Sequence, residues 1–456
     1  MMHNRFMAAG RAAAGIVLAA VMLAGLSVTS ARAATNIERV VSPGGIEAWL
    51  VREPAVPLVA LDFAFAGGAN EDPIDKPGLA SMVAGLIDEG AGDLDANAFH
   101  EKLEEHAIEL AFSAGRDHFR GSLRTLGTNR DLAFDLLRLS LTAPRFDEPA
   151  IERIRTQILS DLRRSATSPN EIASERWWEE AFPLHPYGRP VHGTVDSIPR
   201  VGADDLRTYA KRVFARSQLK IAIVGDIDAA TAGAVVDRVF GALPEKPELA
   251  PVADVKPAGL GQRIVIDLDV PQAVIVFGGE GVSRKDPDFF PAFIVNHILG
   301  GGSLSSRLYR EVREQRGLAY GIWTGLAPLA HTALITGSTA TRADRTADTL
   351  AIVEHELQRL ADNGPTLEEL TKTKSYLIGS YALSFDTSTK IAAQLVQIQL
   401  DGLGINYITR RNGLIEGVTL ADTQRAARRL LGGKMLYTVV GRPQGVTSTS
   451  TKGSGG

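Results

Sequence analysis

Arg313 and Tyr320 stand seven positions apart in "EVREQRGLAYGIW", residues 311–323, with Gly317 between them. Arg313 falls in the last turns of an amphipathic helical pattern, and Gly317 suits the left-handed position that ends such a helix and turns the chain back. Tyr320 then opens a strand. A guanidinium and a phenol brought together at a helix–strand junction can both donate hydrogen bonds to a carbonyl oxygen that gains charge as a peptide bond is attacked. On spacing alone, a surface arginine and a core tyrosine would read the same way.

Metal chemistry finds few donors. The chain has no cysteine, which excludes disulfides, thiolate zinc sites and cysteine catalysis and leaves histidines and carboxylates. "FHEKLEEH" is a near miss: His100-Glu101 lacks a histidine at 104, and Glu105-His106 lacks one at 102. Both histidines read as ordinary polar helix residues. His118 lies in "RDHF", His185 and His192 belong to one loop, and His297, His331 and His355 are scattered, so none forms a ligand pair at helical spacing. Gly300-Gly301-Gly302 lacks the Gly-Lys-Ser/Thr of a phosphate loop and reads as a tight turn.

The elements that must position the pair come in two similar sets. "VPLVALDFAFAGGANED" and "LKIAIVGDID" read as strands, and "NRDLAFDLLRLSLTAP" and "EPAIERIRTQILSDLRRSAT" as helices. After the proline-rich stretch 243–262 the pattern returns. "QAVIVFGGEGVSRKDP" resembles "PLVALDFAFAGGANEDP", and "KMLYTVVGRP" answers "LKIAIVGDID", about 210 to 220 residues on, which means a duplicated domain and not a solenoid. The expected fold is α+β: two duplicated domains, 34–242 and 263–445, each a mostly antiparallel sheet with helices packed on one face. They would be joined by a linker at 243–262 and followed by a flexible tail at 446–456.

"LGGGSLSSRLYREVREQRGLAYGI" and "FPLHPYGRPVHGTVDSI" carry a resemblance that runs over nearly all of residues 36–442. The chain resembles the pitrilysin/insulysin-like inverted-zincin metallopeptidases, and specifically the subunit type without the zinc motif, as in heterodimeric bacterial peptidases related to the mitochondrial processing peptidase. In that family an arginine and a tyrosine bind the substrate backbone and help stabilise the tetrahedral intermediate; Arg313 and Tyr320 are the matching positions. The family's H-x-x-E-H motif falls on Ser81-Met82-Val83-Ala84-Gly85, so Ser81, Ala84 and Gly85 replace the two ligands and the base. The resemblance puts the further acidic ligand at Asp161, and one carboxylate cannot hold a zinc ion that wants about three protein ligands. "ELAFSA", Glu109 to Ala114, is similar to the edge strand on which zinc-bearing members add an extended peptide through main-chain hydrogen bonds.

The resemblance implies a zinc-free subunit, inactive alone, that lends Arg313 and Tyr320 to a homologous partner carrying H-x-x-E-H. No cofactor is expected in this chain; zinc is expected in the partner, and the shared ligand is a peptide. The alternative is a catalytically silent peptide-binding or assembly subunit. A self-contained peptidase with an unfamiliar metal site lacks the histidine pair to build it.

Residues 1–33 read as a signal peptide: Arg5 and Arg11 precede an apolar run that ends in Ala31-Arg32-Ala33, a small-x-small cleavage pattern. The expected location is periplasmic or secreted, with no stable membrane insertion after cleavage. The formal charge of −4 becomes −7 on removing the leader, since three arginines and no acid go with it. An acidic mature chain argues against a nucleic-acid partner.

Overall fold

Strands rich in β-branched and aromatic residues build two sheets in the computed structural model, which describes residues 36–449. The expected signal peptide and residues 450–456 lie outside the described residues. β1 (Ile37–Val41), β2 (Glu47–Arg52), β3 (Leu58–Ala66), β4 (Glu109–Ala114), β5 (His118–Leu126) and β6 (Lys220–Gly225) form the first sheet, in the order β1-β2-β6-β3-β5-β4. β7 (Arg263–Ile266), β8 (Gln272–Glu280), β9 (Ala319–Pro328), β10 (Ala333–Arg342) and β11 (Leu436–Val440) form the second, β7-β11-β8-β10-β9. Each sheet is mixed: one parallel pair, β2 with β6 or β7 with β11, sits beside antiparallel neighbours.

The second sheet repeats the first strand for strand. β7, β11, β8, β10 and β9 take the places of β2, β6, β3, β5 and β4, and β1 is the first sheet's addition. Packing detail repeats as well. Gly121 on β5 faces Phe63 on β3, and Gly337 on β10 faces Phe277 on β8. A Cβ at either glycine would meet the tip of the facing ring at 2.2 Å and 2.4 Å respectively, so each ring fits there only because the opposite residue has no side chain.

Each half's own helices cover one face of its sheet, as the pattern predicts, but the other face is not open. The helix Ser388–Leu400, from the second half, packs across β3 and β6 of the first sheet. Its Ile391, Leu395 and Val396 bury against Trp49, Ala64 and Val224, and Gln399 donates to the Ile221 carbonyl at 2.9 Å. In return the helix Pro169–Ala181, from the first half, packs across β8 and β11. Trp177 is buried there and donates its indole N–H to the Leu436 carbonyl at 3.1 Å; truncating such a side chain costs about 3 to 5 kcal/mol. This exchange adds one helix from the other half to the second face of each sheet. It also explains why β3 and β6 are apolar along nearly their whole length, whereas β5, beyond the reach of the crossing helix, alternates.

The proline-rich segment 243–262 has neither helix nor strand and is stitched to both halves. Glu248 N–H donates to the Arg212 carbonyl, Val255 to that of His331 and Gly261 to that of Met435. Of the residues expected to be a flexible tail, 446–449 lie along β7: Val446 is buried, Ser448 Oγ accepts from Val265 N–H, and Thr449 exchanges two hydrogen bonds with Arg263. Among the described residues no helix is long and apolar enough to cross a membrane.

Candidate functional site

Arg313 and Tyr320 meet at one junction. Ser306 caps a helix that runs through Arg307–Tyr309 and widens into a π turn over Arg310–Glu314. Gly317, at φ +60°, closes it: Gly317 N–H donates to the Arg313 carbonyl at 2.9 Å and Leu318 N–H to that of Val312 at 2.8 Å. β9 begins two residues later, its start held by Thr341 and Thr339 hydroxyls donating to the carbonyls of Leu318 and Gly321. The Arg313 guanidinium carbon then lies 4.5 Å from the centre of the Tyr320 ring and 5.0 Å from that of Tyr309. Two aromatic faces thus hold the cation by its ring-directed attraction and leave its N–H groups free.

Their surroundings make these donors available. Tyr320 is 87% exposed, high for a large aromatic side chain. Among the described residues neither Arg313 nor Tyr320 has an ion-pair or side-chain hydrogen-bond partner, in a chain where most arginines are paired. β9 is the free edge of its sheet, as β4 is of the other. A carbonyl placed beside this junction would find a charged and a neutral donor.

The expected metal helix is Leu79–Leu86. Asp72 caps it, accepting from the Gly78 and Ala80 N–H groups at 2.7 and 2.9 Å; burial pushes its carboxyl up to about 7 against those bonds. Ser81 donates its hydroxyl to the Val191 carbonyl at 2.9 Å and lies 3.2 Å from His192 Nδ1. Ala84 is buried and Gly85 faces Ile154. Asp161 sits on the partly exposed side of its helix, ion-paired with Arg164. A serine hydroxyl already bonded to the backbone is the one donor left at the three positions, and among the described residues no three His, Asp or Glu side chains converge. This donor set does not fit zinc.

The two histidines of the near-miss motif are taken up locally. His100 faces Glu89, itself bound by Arg153; His106 Nδ1 lies 3.1 Å from the Lys102 carbonyl. The three glycines at 300–302 pack tightly: a Cβ at Gly300 would come within 2.6 Å of Thr324 Oγ1 on β9.

The loop 182–198 does work that its spacing does not reveal. Tyr187 is fully buried and donates to Asp117 Oδ1 at 2.6 Å, while its oxygen accepts from His331 N–H at 3.1 Å. Asp117 Oδ2 accepts from Ala330 N–H at 2.9 Å. Ala330 and His331 form the turn between β9 and β10, so the strand that begins with Tyr320 is anchored at its far end to the first half. Arg189 ties the same loop to the carbonyls of Asn70 and Asp72 ahead of the metal-type helix. These partners are 70 residues or more apart, and no local pattern marks them.

Two family models match. The model described as Insulinase (Peptidase family M16) covers residues 49–195, and Peptidase M16 inactive domain covers 200–377. The chain is 26% identical over 416 residues to an uncharacterized zinc protease of Streptomyces coelicolor, covering 89% of this chain and 90% of that one. It is 27% identical to the non-peptidase homolog YmxG of Helicobacter pylori, over 77% of this chain and 81% of the relative. A crystal structure of a peptidase M16 inactive domain from Pseudomonas fluorescens superposes with a TM-score of 0.84 at 27% identity, covering 90% of this chain and 98% of that one.

Proposed function

Starting from the premise that the chain belongs to peptidase family M16 and lacks its zinc motif, we propose that it is the zinc-free subunit of an exported heterodimeric peptidase. A homologous partner carrying H-x-x-E-H supplies the metal and the base. This chain supplies Arg313 and Tyr320, which grip the carbonyl of the bound peptide and the charge that develops on it. The observation that carries the reading is the pair itself: held together across aromatic faces, with Tyr320 exposed, Arg313 half-buried and neither partnered, on a chain whose metal positions are Ser81, Ala84 and Gly85. The duplicated architecture supports such a division, since a second copy of the same two-sheet body can present its metal helix where this one presents its donors. Export rests on the leader-like residues 1–33.

A second reading, a silent peptide-binding or assembly subunit, is favoured by the likeness to a relative named a non-peptidase homolog. The two separate on mixing. The purified chain should not cleave short unfolded peptides, and adding the H-x-x-E-H chain recovered with it from the native host should restore cleavage above that chain's own rate. Peptide binding with no acceleration in any pairing supports the silent subunit, and stoichiometric zinc with unaided turnover contradicts both.

A further inference from the structure

Three residues before Arg313 the same helix forms part of the wall of a cavity. It has a volume of about 610 Å³ and is lined by His297, Arg307, Arg310, Arg359, Glu369 and Tyr376. We propose that this cavity binds a carboxylate of the peptide, so that the subunit sets a preference for an acidic residue near the scissile bond. The inference rests on the reading that Arg313 and Tyr320 hold a peptide.

Charge bookkeeping around the cavity leaves cation to spare. Arg307 is fully committed, with two 2.7 Å hydrogen bonds to Glu369 that hold this carboxyl down at about 2. Arg359 binds Glu356, which is buried behind the wall. Lys372 binds Glu368 on the rim. Arg310 is different. Its nearest carboxylate, Glu311, is 3.6 Å away and is already bound by Arg316 at 2.6 Å, with Arg359 acting on it too. Arg310 and Arg316 therefore share one carboxylate, and the half-exposed Arg310 lines the cavity without a close partner of its own.

Two rings in the same lining suit the rest of an acidic side chain. His297 and Tyr376 lie with ring centres 5.2 Å apart, and burial lowers the His297 pKa, which keeps the ring neutral near pH 7. Flat uncharged rings and a guanidinium lining one cavity can take the methylenes and the carboxylate of one acidic side chain. Position follows from sequence: only three residues, within one π turn, separate Arg310 from Arg313. An extended peptide advances about 3.3 Å per residue, so the occupant belongs within two or three residues of the carbonyl held at Arg313 and Tyr320.

The test needs binding and no turnover, which keeps its failure distinct from that of the peptidase reading. The full chain is titrated with a fluorescein-labelled unstructured decapeptide, amidated at its C-terminus, that carries one glutamate, and with its glutamine isostere. Wild-type protein should bind the glutamate peptide about tenfold tighter. Arg310→Gln should bring the two affinities together, and Arg310→Lys should keep part of the preference, with circular dichroism showing both variants folded. A glutamine peptide with a free C-terminus distinguishes a terminal carboxylate from a side chain: an Arg310-dependent preference for it over its amide assigns the same cavity to the chain end. Equal affinity of wild type for all three peptides, or a glutamate preference unchanged in Arg310→Gln, overturns the inference.

Discussion

The Tyr187 hydroxyl donates to Asp117 at 2.6 Å and accepts from the His331 backbone N–H, so one buried phenol joins the first sheet to the β9–β10 turn of the second. Tyr187→Phe keeps the ring and removes both bonds, leaving a buried carboxylate oxygen and a backbone donor unmatched. The expected cost is about 1 to 3 kcal/mol, read as a lowered midpoint in urea. Ala330 and His331 amide hydrogens should exchange faster in the variant, and amides at the Gly317 end of β9 should change less.

Asp62 sits mid-strand on β3 under the crossing helix Ser388–Leu400, 8% exposed, with one carboxylate oxygen unpartnered. Burial raises its carboxyl to about 6, opposed by the nearby Arg120 charge. Because the folded protein holds this proton more tightly than the unfolded chain does, the group's favourable contribution is complete below about pH 4 and is lost as pH rises through 6. Asp62→Asn should therefore stabilise the protein at pH 8, by about 1 to 3 kcal/mol, and give little or nothing at pH 4. Equal effects at both pH values would contradict the burial argument.

Arg307 and Glu369 behave in the opposite sense. The Arg307 guanidinium, together with the Thr366 cap, holds Glu369 well below the usual carboxylate range. Its contribution is present above the ordinary carboxylate pKa and disappears as pH falls toward 2. Arg307→Met should cost about 3 to 5 kcal/mol at pH 7, since it strands Glu369, and Arg307→Met with Glu369→Met together should cost less than the single change. Chemical denaturation of the three proteins checks the order.

Gly121→Ala adds one methyl against the ring tip of Phe63, with 2.2 Å where contact distance is needed. Overpacking of about 1 to 3 kcal/mol is expected. Gly121→Ala combined with Phe63→Leu should recover part of it, and Gly337→Ala, against Phe277, should behave alike because the two halves repeat this contact.

Much of this molecule is legible in its residue order. Gly317 marks the helix end that lets Arg313 and Tyr320 meet, the repeated strand patterns forecast two sheets of one topology, and "ELAFSA" is indeed an edge strand. The serine, alanine and glycine at 81, 84 and 85 are plain from sequence because losing a ligand set is a matter of residue type. What the pattern hides is exchange between the halves. Trp177 reads as one more apolar helix residue, and nothing within its own segment says that it packs on β11, 259 residues away. The nearly continuous apolar runs of β3, interrupted by Asp62, and of β6 were the available signal, since a strand covered on one face alternates. Val446 to Thr449 were hidden differently: small polar residues have the composition of a tail, but their hydroxyls and backbone are well suited to pairing with a short strand such as β7.

The central claim is that Arg313 and Tyr320 act on the reacting carbonyl of a peptide whose metal and base come from a partner. Turnover of an internally quenched peptide by the reconstituted pair, with substrate held above saturation, tests it most directly. Arg313→Ala and Tyr320→Phe should each lower kcat about a hundredfold while the pair still assembles. Full-rate turnover by both variants would contradict it.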